Sequence, residues 1–220
     1  MTSLSDYLIS VGYLKTPIII DAFSKIKRAD FLPKELKNIA NLDEALPIGE
    51  GQTISQPAVV AFILELLSPK PGNKILDVGS GSGWTSALLS YIVSNGKKNK
   101  KGRVLAIEIK EKLKNFGEKN TAKYNFVDGG IAEFFCGDGT KDLEKGEVFD
   151  RILVSAAAKD VPQGLKNHLK IGGRLVIPIM DRKEEFFSQQ SIWLFEKKEK
   201  NKFKKTKYPG FIFVPLISSH

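Results

Sequence analysis

The sequence predicts an α/β protein with a doubly wound, Rossmann-like fold, in which helices cover both faces of a mostly parallel, seven-stranded sheet. The first observation is an apolar strand at 74–79 that leads into Gly79, Gly81 and Gly83 and then into a helix at 84–94. This order of strand, glycine turn and helix is typical of the nucleotide-binding corner of such a sheet. The second observation is that strands and helices alternate from residue 74 onward, which indicates a mostly parallel sheet.

The remaining elements follow from hydrophobic periodicity and from helix start and stop residues. Pro57 suits the first turn of a helix, because its fixed backbone angle matches the helical one. Helices are predicted at 4–11, 17–26, 58–67, 84–94, 111–124 and 162–170. Strands are predicted at 74–79, 103–109, 132–137, 150–156, 173–179, 190–197 and 211–217. We expect a single domain over 1–220, with an N-terminal helical extension at 1–70 and a Rossmann-like core at 71–220.

The chain of 220 residues carries a formal net charge of +9, from 34 Lys and Arg against 25 Asp and Glu. The excess lies in two lysine-rich runs, at 97–103 and 197–207. Stacking aromatic residues are nearly absent from both runs, so solvated polar loops are the preferred interpretation. A phosphate-binding surface remains the alternative, because a basic patch also attracts nucleic acid.

The single cysteine, Cys136, excludes an internal disulfide and fits a reducing compartment. Since it lies in an apolar run, we expect a buried, unreactive thiol. No apolar run approaches the length of a membrane span, and the first residues lack the pattern of an export signal. The sequence therefore predicts a cytoplasmic protein without a membrane partner.

The residues that end the predicted strands indicate the ligand. Trp84 stands where the dinucleotide-binding pattern requires its third glycine, whereas Asp77 precedes the turn and suits the cationic amino group of S-adenosylmethionine. Glu108 ends the second core strand at a spacing suited to ribose hydroxyls. Asp138, between two glycines, could accept a hydrogen bond from an adenine amino group. A plain tight turn at 79–83, a surface acid at 108 and an ordinary Asp-Gly turn at 138 are the structural alternatives.

Other chemistries find little support. The only histidines are His168, within a predicted helix, and His220. Neither a histidine-based triad nor a His/Cys metal site can be assembled from them, so no metal is expected. The Gly-x-x-x-x-Gly-Lys-Ser/Thr phosphate-binding loop (P-loop) is also absent from the sequence.

Extended motifs show that the chain resembles the protein-L-isoaspartate (D-aspartate) O-methyltransferase family over about residues 5–217. The most specific of these motifs is Gly-Gln-Thr-Ile-Ser-Gln-Pro at 51–57. The other matching segments are 28–33, 48–50, 76–83, 137–139, 156–158, 161–163, 169–178 and 213–216.

The resemblance implies methyl transfer from S-adenosyl-L-methionine to the free α-carboxylate of L-isoaspartyl and D-aspartyl residues in damaged proteins. The ester then closes to a succinimide, whose hydrolysis regenerates some normal aspartate. The resemblance assigns catalysis to Ser55. It assigns substrate binding to Thr53, Ile54, Ala157 and Val214. It assigns cofactor binding to Asp77, Gly79, Ser80, Gly81, Ser82, Glu108, Ile109, Gly137, Asp138 and Gly139.

The chain departs from the family pattern at Ala58, Val60 and Lys159, and at its end after the Val-Pro-Leu segment, which leaves substrate preference open. We expect a monomer that acts on isoaspartyl peptides and proteins and has no stable nucleic-acid partner. Two other readings stay open from the residues alone. They are a nucleic-acid methyltransferase with a basic surface and a catalytically silent S-adenosylmethionine-binding adaptor.

Overall fold

The computed structural model describes residues 3–95, 102–181 and 190–217. Its α-helices are α1 (Leu4–Ser10), α2 (Pro17–Lys25), α3 (Pro57–Leu67), α4 (Trp84–Ser94), α5 (Glu111–Ala122) and α6 (Gln163–His168), and 3-10 helices span Arg28–Phe31 and Lys34–Ile39. Its strands are β1 (Leu46–Gly49), β2 (Gln52–Ile54), β3 (Lys74–Val78), β4 (Arg103–Glu108), β5 (Ala132–Cys136), β6 (Phe149–Val154), β7 (Leu169–Met180), β8 (Gln190–Glu199) and β9 (Lys202–Phe211).

The main sheet has seven strands in the order β5-β4-β3-β6-β7-β8-β9. The pairs from β5 through β7 are parallel, whereas β8 runs antiparallel to both of its neighbours. The strand order reverses direction between β3 and β6, and ligands of open α/β sheets bind at such a point, outside the carboxyl ends of the strands. The predicted fold class is confirmed.

Alternate residues of the central strands enter two separate cores, one on each face of the sheet. Ile75 of β3 packs in the core that contains α2, α3 and α4, while the next residue, Leu76, packs in the core that contains Leu165 of α6. Successive side chains of a strand point to opposite faces, so an unbroken apolar strand requires cover on both. Helices on both faces provide that cover.

The predicted strand at 211–217 is wrong. The last strand is β9, and it pairs with β8 as a hairpin that contains most of the second lysine-rich run. That run was expected to be a solvated loop, but Lys197 is buried and donates to the carbonyl oxygens of Lys166 and Leu169. The ammonium groups of two further lysines lie over aromatic rings of the hairpin, that of Lys205 at 5.8 Å from the centre of Phe195 and that of Lys207 at 5.9 Å from the centre of Trp193. A run of lysines can therefore lie in a strand, because its charges contact aromatic rings or backbone carbonyl groups.

The lysines of the first lysine-rich run, Lys97, Lys98, Lys100 and Lys101, lie outside the described residues. Cys136 is exposed, contrary to the expected buried thiol. The reason is topological, since β5 is the edge strand of the sheet and an apolar sequence there is covered on fewer sides. No helix in the described part of the chain has the length and apolar character that crossing a membrane requires.

Candidate functional site

The glycine turn after β3 lies at the switch point of the sheet. Gly79, Gly81 and Gly83 have φ angles of +78°, +50° and +84°, a region that residues with a Cβ rarely adopt. Gly83 also packs against α5, because a Cβ there would lie 2.4 Å from the carbonyl oxygen of Gly117. The turn thus brings the start of α4 close to α5 and leaves the backbone of 79–82 facing open space.

Asp77 lies beneath this turn and is fully buried. Its Oδ2 accepts hydrogen bonds from the hydroxyls of Thr85 (2.9 Å) and Ser86 (2.7 Å), while its Oδ1 has no partner among the described residues. Burial raises the pKa of Asp77 to about 6; the two hydroxyl hydrogen bonds oppose the rise and the nearby Glu108 adds to it. A carboxylate with a raised pKa and an unused oxygen provides negative potential for a cation at the turn.

Glu108 ends β4 and holds the turn from the other side. Its Oε2 accepts a hydrogen bond from the backbone amide of Gly81 at 3.0 Å, and its Oε1 accepts one from the amide of Lys110 at 3.1 Å. The residue is 6 % exposed. Because each carboxylate oxygen can accept more than one hydrogen bond, Glu108 can also accept from ligand hydroxyls.

Asp138 follows β5 and is fixed by local hydrogen bonds. Its Oδ1 accepts from the amide (2.9 Å) and hydroxyl (2.7 Å) of Thr140, and its own amide donates to Asp142. A Cβ at the adjacent Gly139 would lie 2.8 Å from the Val78 side chain, so glycine is required for the close approach of this loop to β3. The loop thereby places the Asp138 carboxylate at the same edge as Glu108.

These ends of strands enclose a first cavity, which we call the turn cavity. Thirteen of the fifteen residues predicted for the site contribute to its wall. They are Thr53, Ile54, Ser55, Gly79, Ser80, Gly81, Ser82, Glu108, Ile109, Gly137, Asp138, Gly139 and Val214. The two predicted residues outside it are Asp77, below the turn, and Ala157.

A second cavity, the loop cavity, adjoins the first. Its wall comes from three distant segments of the chain, residues 45–59, Ser155 directly after β6, and residues 210–214. The two cavities share Thr53, Ser55, Ser155 and Val214. Ser55 therefore lies at the junction between a glycine-rich pocket and a second opening.

Ser55 is carried by a short segment between β2 and α3. No strand was predicted before it, whereas the structure has a β1–β2 hairpin in which Leu46 pairs with Ile54. In the first turn of α3, just after the segment, the amide of Ala58 donates a hydrogen bond to the Asp43 carboxylate at 2.8 Å. The Ser55 carbonyl accepts from the guanidinium of Arg28 at 3.1 Å, but its hydroxyl makes no hydrogen bond to any described residue. That hydroxyl is available to a ligand.

Ala157 contributes through its backbone. Its amide donates to the carbonyl of Val214 at 2.8 Å, and its carbonyl accepts from the amide of Leu216 at 2.9 Å. The amide of Phe213 in turn donates to the side chain of Gln190 at 2.6 Å. Ala157, predicted to bind substrate, is therefore buried and lines neither cavity, and its backbone hydrogen bonds join it to Val214 and Leu216.

Ser155 lies at the end of the predicted strand at 150–156, but it was not among the predicted site residues. It directly follows β6 and lines both cavities. The signal was its position at the end of the strand beside the glycine turn, because a Cβ at Gly79 would lie 3.9 Å from the Ser155 Cβ. Among the residues that depart from the family pattern, Val60 lines the turn cavity, while Ala58 and Lys159 line neither.

The two cavities differ in charge. The turn cavity carries Glu108, Asp138 and Lys110, whereas none of the described residues that line the loop cavity is ionisable. No cluster of three or more potential metal ligands occurs in the described ranges. The arrangement can bind a polar ligand with hydroxyl and amino groups on one side and present an uncharged, hydroxyl-lined opening on the other.

Comparisons with known proteins agree with this geometry. A model of the family protein-L-isoaspartate(D-aspartate) O-methyltransferase matches residues 1–220. The chain is 40 % identical over 214 residues to a protein-L-isoaspartate O-methyltransferase of Methanopyrus kandleri, covering 97 % of this chain and 89 % of that one. It is 41 % identical over 203 residues to the protein of the same name from Petrotoga mobilis, covering 92 % and 88 %. A Plasmodium falciparum protein described as this enzyme, solved in complex with S-adenosyl-L-homocysteine, superposes with a TM-score of 0.84 at 25 % identity, covering 98 % and 97 %.

Proposed function

The chain belongs to the protein-L-isoaspartate(D-aspartate) O-methyltransferase family, and on that premise we propose that it methylates L-isoaspartyl residues of proteins with S-adenosylmethionine. The observation that carries the proposal is the shared wall of the two cavities, formed by Thr53, Ser55, Ser155 and Val214. A methyl donor in the turn cavity and a peptide in the loop cavity would meet at that wall. Methyl transfer requires such contact between donor and acceptor atoms.

The turn cavity fits S-adenosylmethionine by the chemistry of its donor set. Glu108 accepts from ribose hydroxyls, and Asp138 accepts from the adenine amino group. The backbone of Gly79–Ser82 lies along the methionine part, where glycines remove the Cβ that would keep a ligand away. When bound, S-adenosylmethionine supplies an electrophilic methyl group on a sulfonium.

Asp77 acts from beneath the turn in this proposal. Its carboxylate is fully buried and lies off the cavity wall, so its contribution is negative potential under a ligand that carries an ammonium and a sulfonium. Thr85, which donates to Asp77 and lines the turn cavity, connects the buried carboxylate to the ligand. A nearby positive charge would favour the ionised form of Asp77.

Ser55 orients the acceptor. The α-carboxylate of an isoaspartyl residue has an unperturbed pKa of about 3.5, so it is ionised at neutral pH and needs no general base. The free hydroxyl of Ser55 donates one hydrogen bond to one oxygen and directs the other oxygen toward the donor cavity. The hydroxyls of Thr53 and Ser155 lie at the same wall and hold the acceptor group in place.

The uncharged wall of the loop cavity suits this chemistry. A lysine or arginine there would form an ion pair with the carboxylate and lower its nucleophilicity, since opposite charges attract strongly where water is excluded. Hydroxyl groups fix the carboxylate with less stabilisation of its charge. The same absence of cations among the described lining residues disfavours a nucleic-acid substrate, whose phosphates require basic contacts.

We further propose that the protein works as a single-domain monomer in the cytoplasm. The N-terminal region and the sheet share a core, in which Leu8 and Phe31 belong to the same cluster as Leu153 and Val176. This shared core supports a single folding unit. The proposed partners are proteins that contain isoaspartyl residues.

Methyl transfer to matched peptides tests the function. Initial rates should be measured with S-adenosylmethionine and two peptides that differ only in one residue, L-isoaspartyl or L-aspartyl. We expect transfer to the isoaspartyl peptide and a rate at least about 100-fold lower for the aspartyl peptide, because a site built to bind a group rejects the analogue that lacks it. Equal rates on the two peptides, or transfer to RNA but to neither peptide, would exclude isoaspartyl methylation.

A further inference from the structure

Arg28 is a buried cation that the proposed chemistry does not use. Its side chain is 3 % exposed, and its guanidinium donates to four backbone carbonyl groups. Nη1 contacts the oxygens of Ala40 (2.9 Å) and Leu42 (3.1 Å), while Nη2 contacts those of Glu44 (2.7 Å) and Ser55 (3.1 Å). One planar group thus joins the segment 40–44 to the residue at the junction of the two cavities.

The same guanidinium contacts a residue of the turn cavity. Its central carbon is 5.4 Å from the centre of the Trp84 ring, and Trp84 is the first residue of α4 after the glycine turn. Trp84 also lines the turn cavity. Arg28 therefore contacts an element of each cavity, the Ser55 segment through a hydrogen bond and the start of α4 through a cation–π contact.

The charge state of Arg28 is compatible with this role. Burial lowers the pKa of the guanidinium to about 10, and the carboxylate of Asp43 opposes the change. At neutral pH the group stays protonated and keeps its donors. Burial of a cation among carbonyl groups is costly unless its hydrogen bonds are well made, so the four contacts fix the positions of the carbonyls as firmly as that of the side chain.

We propose that Arg28 is a positioning residue for methyl transfer, which sets the distance between the Ser55 segment and the turn cavity. The inference rests on the proposed function, because its readout is methyl transfer to an isoaspartyl peptide. Lysine cannot replace it, since an ammonium is a compact donor and lacks the planar fork that reaches carbonyls on both sides. A displacement of about 1 Å at the acceptor side can lower a rate by about 100-fold.

The test compares Arg28→Lys with Arg151→Lys. Arg151 also donates to backbone carbonyls, from Nε to Ser68 at 3.0 Å and from Nη1 to Asp150 at 2.8 Å, but it lines neither cavity. It controls for the loss of stability that accompanies removal of a partly buried arginine. Rates are expressed per site that binds S-adenosylhomocysteine in calorimetry, so that unfolded protein does not contribute.

We expect Arg28→Lys to lower kcat by about 10- to 100-fold, with the affinity for S-adenosylhomocysteine within about threefold of the wild type. Arg151→Lys should keep kcat within about twofold. In the Ser55→Ala background, Arg28→Lys should cost less than about threefold, because residues that act through one group are not additive. A purely structural role would give equal factors in both backgrounds.

Three outcomes would overturn the inference. They are a kcat for Arg28→Lys within twofold of the wild type, the same loss in Arg151→Lys, and additive losses in the Ser55→Ala background. Arg28→Gln provides the second variant if the lysine variant does not fold, and failure of both to bind S-adenosylhomocysteine makes the residue structural only. A wild-type protein that is inactive on the isoaspartyl peptide would instead refute the proposed function itself.

Discussion

The turn cavity and the loop cavity differ in how their walls are built. The turn cavity takes most of its residues from the carboxyl ends of neighbouring strands β3, β4, β5 and β6, whose spacing is set by the hydrogen bonds of the sheet. The loop cavity takes its residues from segments around 45–59, at 155 and at 210–214; the first of these segments lies outside the main sheet, and residues 212–214 follow its last strand. Its geometry depends on single contacts, such as those of Arg28 with Ser55 and of Ala157 with Val214.

This difference relates to the two tasks. In the proposed function the cofactor lies at a rigid sheet edge with buried carboxylates, where small displacements are resisted by close packing. Peptide acceptors vary in sequence, and an uncharged cavity with an exposed rim can accept many of them. Ile212, 92 % exposed at the rim of the loop cavity, illustrates how open that side is.

The largest expected effect comes from a methyl group placed in the rigid region. Gly83→Ala should destabilise the protein by about 2 to 5 kcal/mol, from the positive φ and from overlap with the Gly117 carbonyl 2.4 Å away. Gly210→Ala on the loop cavity is the matched change, since Gly210 has a φ of +93° and no atom within 4 Å of the added Cβ. It should cost only about 1 to 2 kcal/mol.

Urea unfolding measures the stability of the two variants, and calorimetric titration with S-adenosylhomocysteine measures their ligand affinity. Gly83→Ala should also weaken S-adenosylhomocysteine binding by at least about tenfold, because packing errors of this size move the turn, whereas Gly210→Ala should not. Equal losses of stability and of affinity in the two variants would show that the two cavities do not differ in rigidity.

A smaller effect concerns Asp77 and pH. The pKa of Asp77 is about 6 in the folded protein and 3.8 when unperturbed. Between these two pH values the folded state holds a proton that the unfolded state has released. Stability therefore falls as pH rises from about 4 to 6, by about 3 kcal/mol for this group. Asp77→Asn should flatten that part of the stability curve and leave the ligand-free protein at least as stable at pH 7, while S-adenosylhomocysteine binds more weakly.

Urea unfolding of the ligand-free proteins at pH 4.5, 5.5 and 6.5 measures the Asp77 contribution, because the substitution removes this ionisable group and no other. Parallel curves of stability against pH for wild type and Asp77→Asn would show that folding does not raise the pKa of the Asp77 carboxyl. Unchanged ligand affinity in the variant would remove Asp77 from cofactor binding.

The same contrast explains which features could be predicted from the sequence. Strand ends of a parallel sheet meet at one edge, so Gly79–Ser82, Glu108 and Asp138 could be placed together from spacing alone. Strand β9 was not predicted, because the lysines at 202–207 obscure the alternation of apolar and polar residues. The apolar segment 211–217 was predicted as the last strand instead. Ser155 could have been placed there too, because it lies at the end of the predicted strand at 150–156. The contacts of Arg28 could not be found, since they depend on pairings between segments far apart in the chain.

The central claim is that cofactor binding and acceptor orientation are separable, with Ser55 on the acceptor side. Calorimetric titration of S-adenosylhomocysteine into wild type and Ser55→Ala, with initial methyl-transfer rates to the isoaspartyl peptide, tests it directly. We expect a rate lower by about 10- to 1000-fold, or about 1.4 to 4 kcal/mol, for loss of one hydrogen bond to the reacting group. The affinity for S-adenosylhomocysteine should stay within about twofold of the wild type, because Glu108 and Asp138 are unchanged. Full activity in Ser55→Ala, or a loss of affinity as large as the loss of rate, would contradict the account.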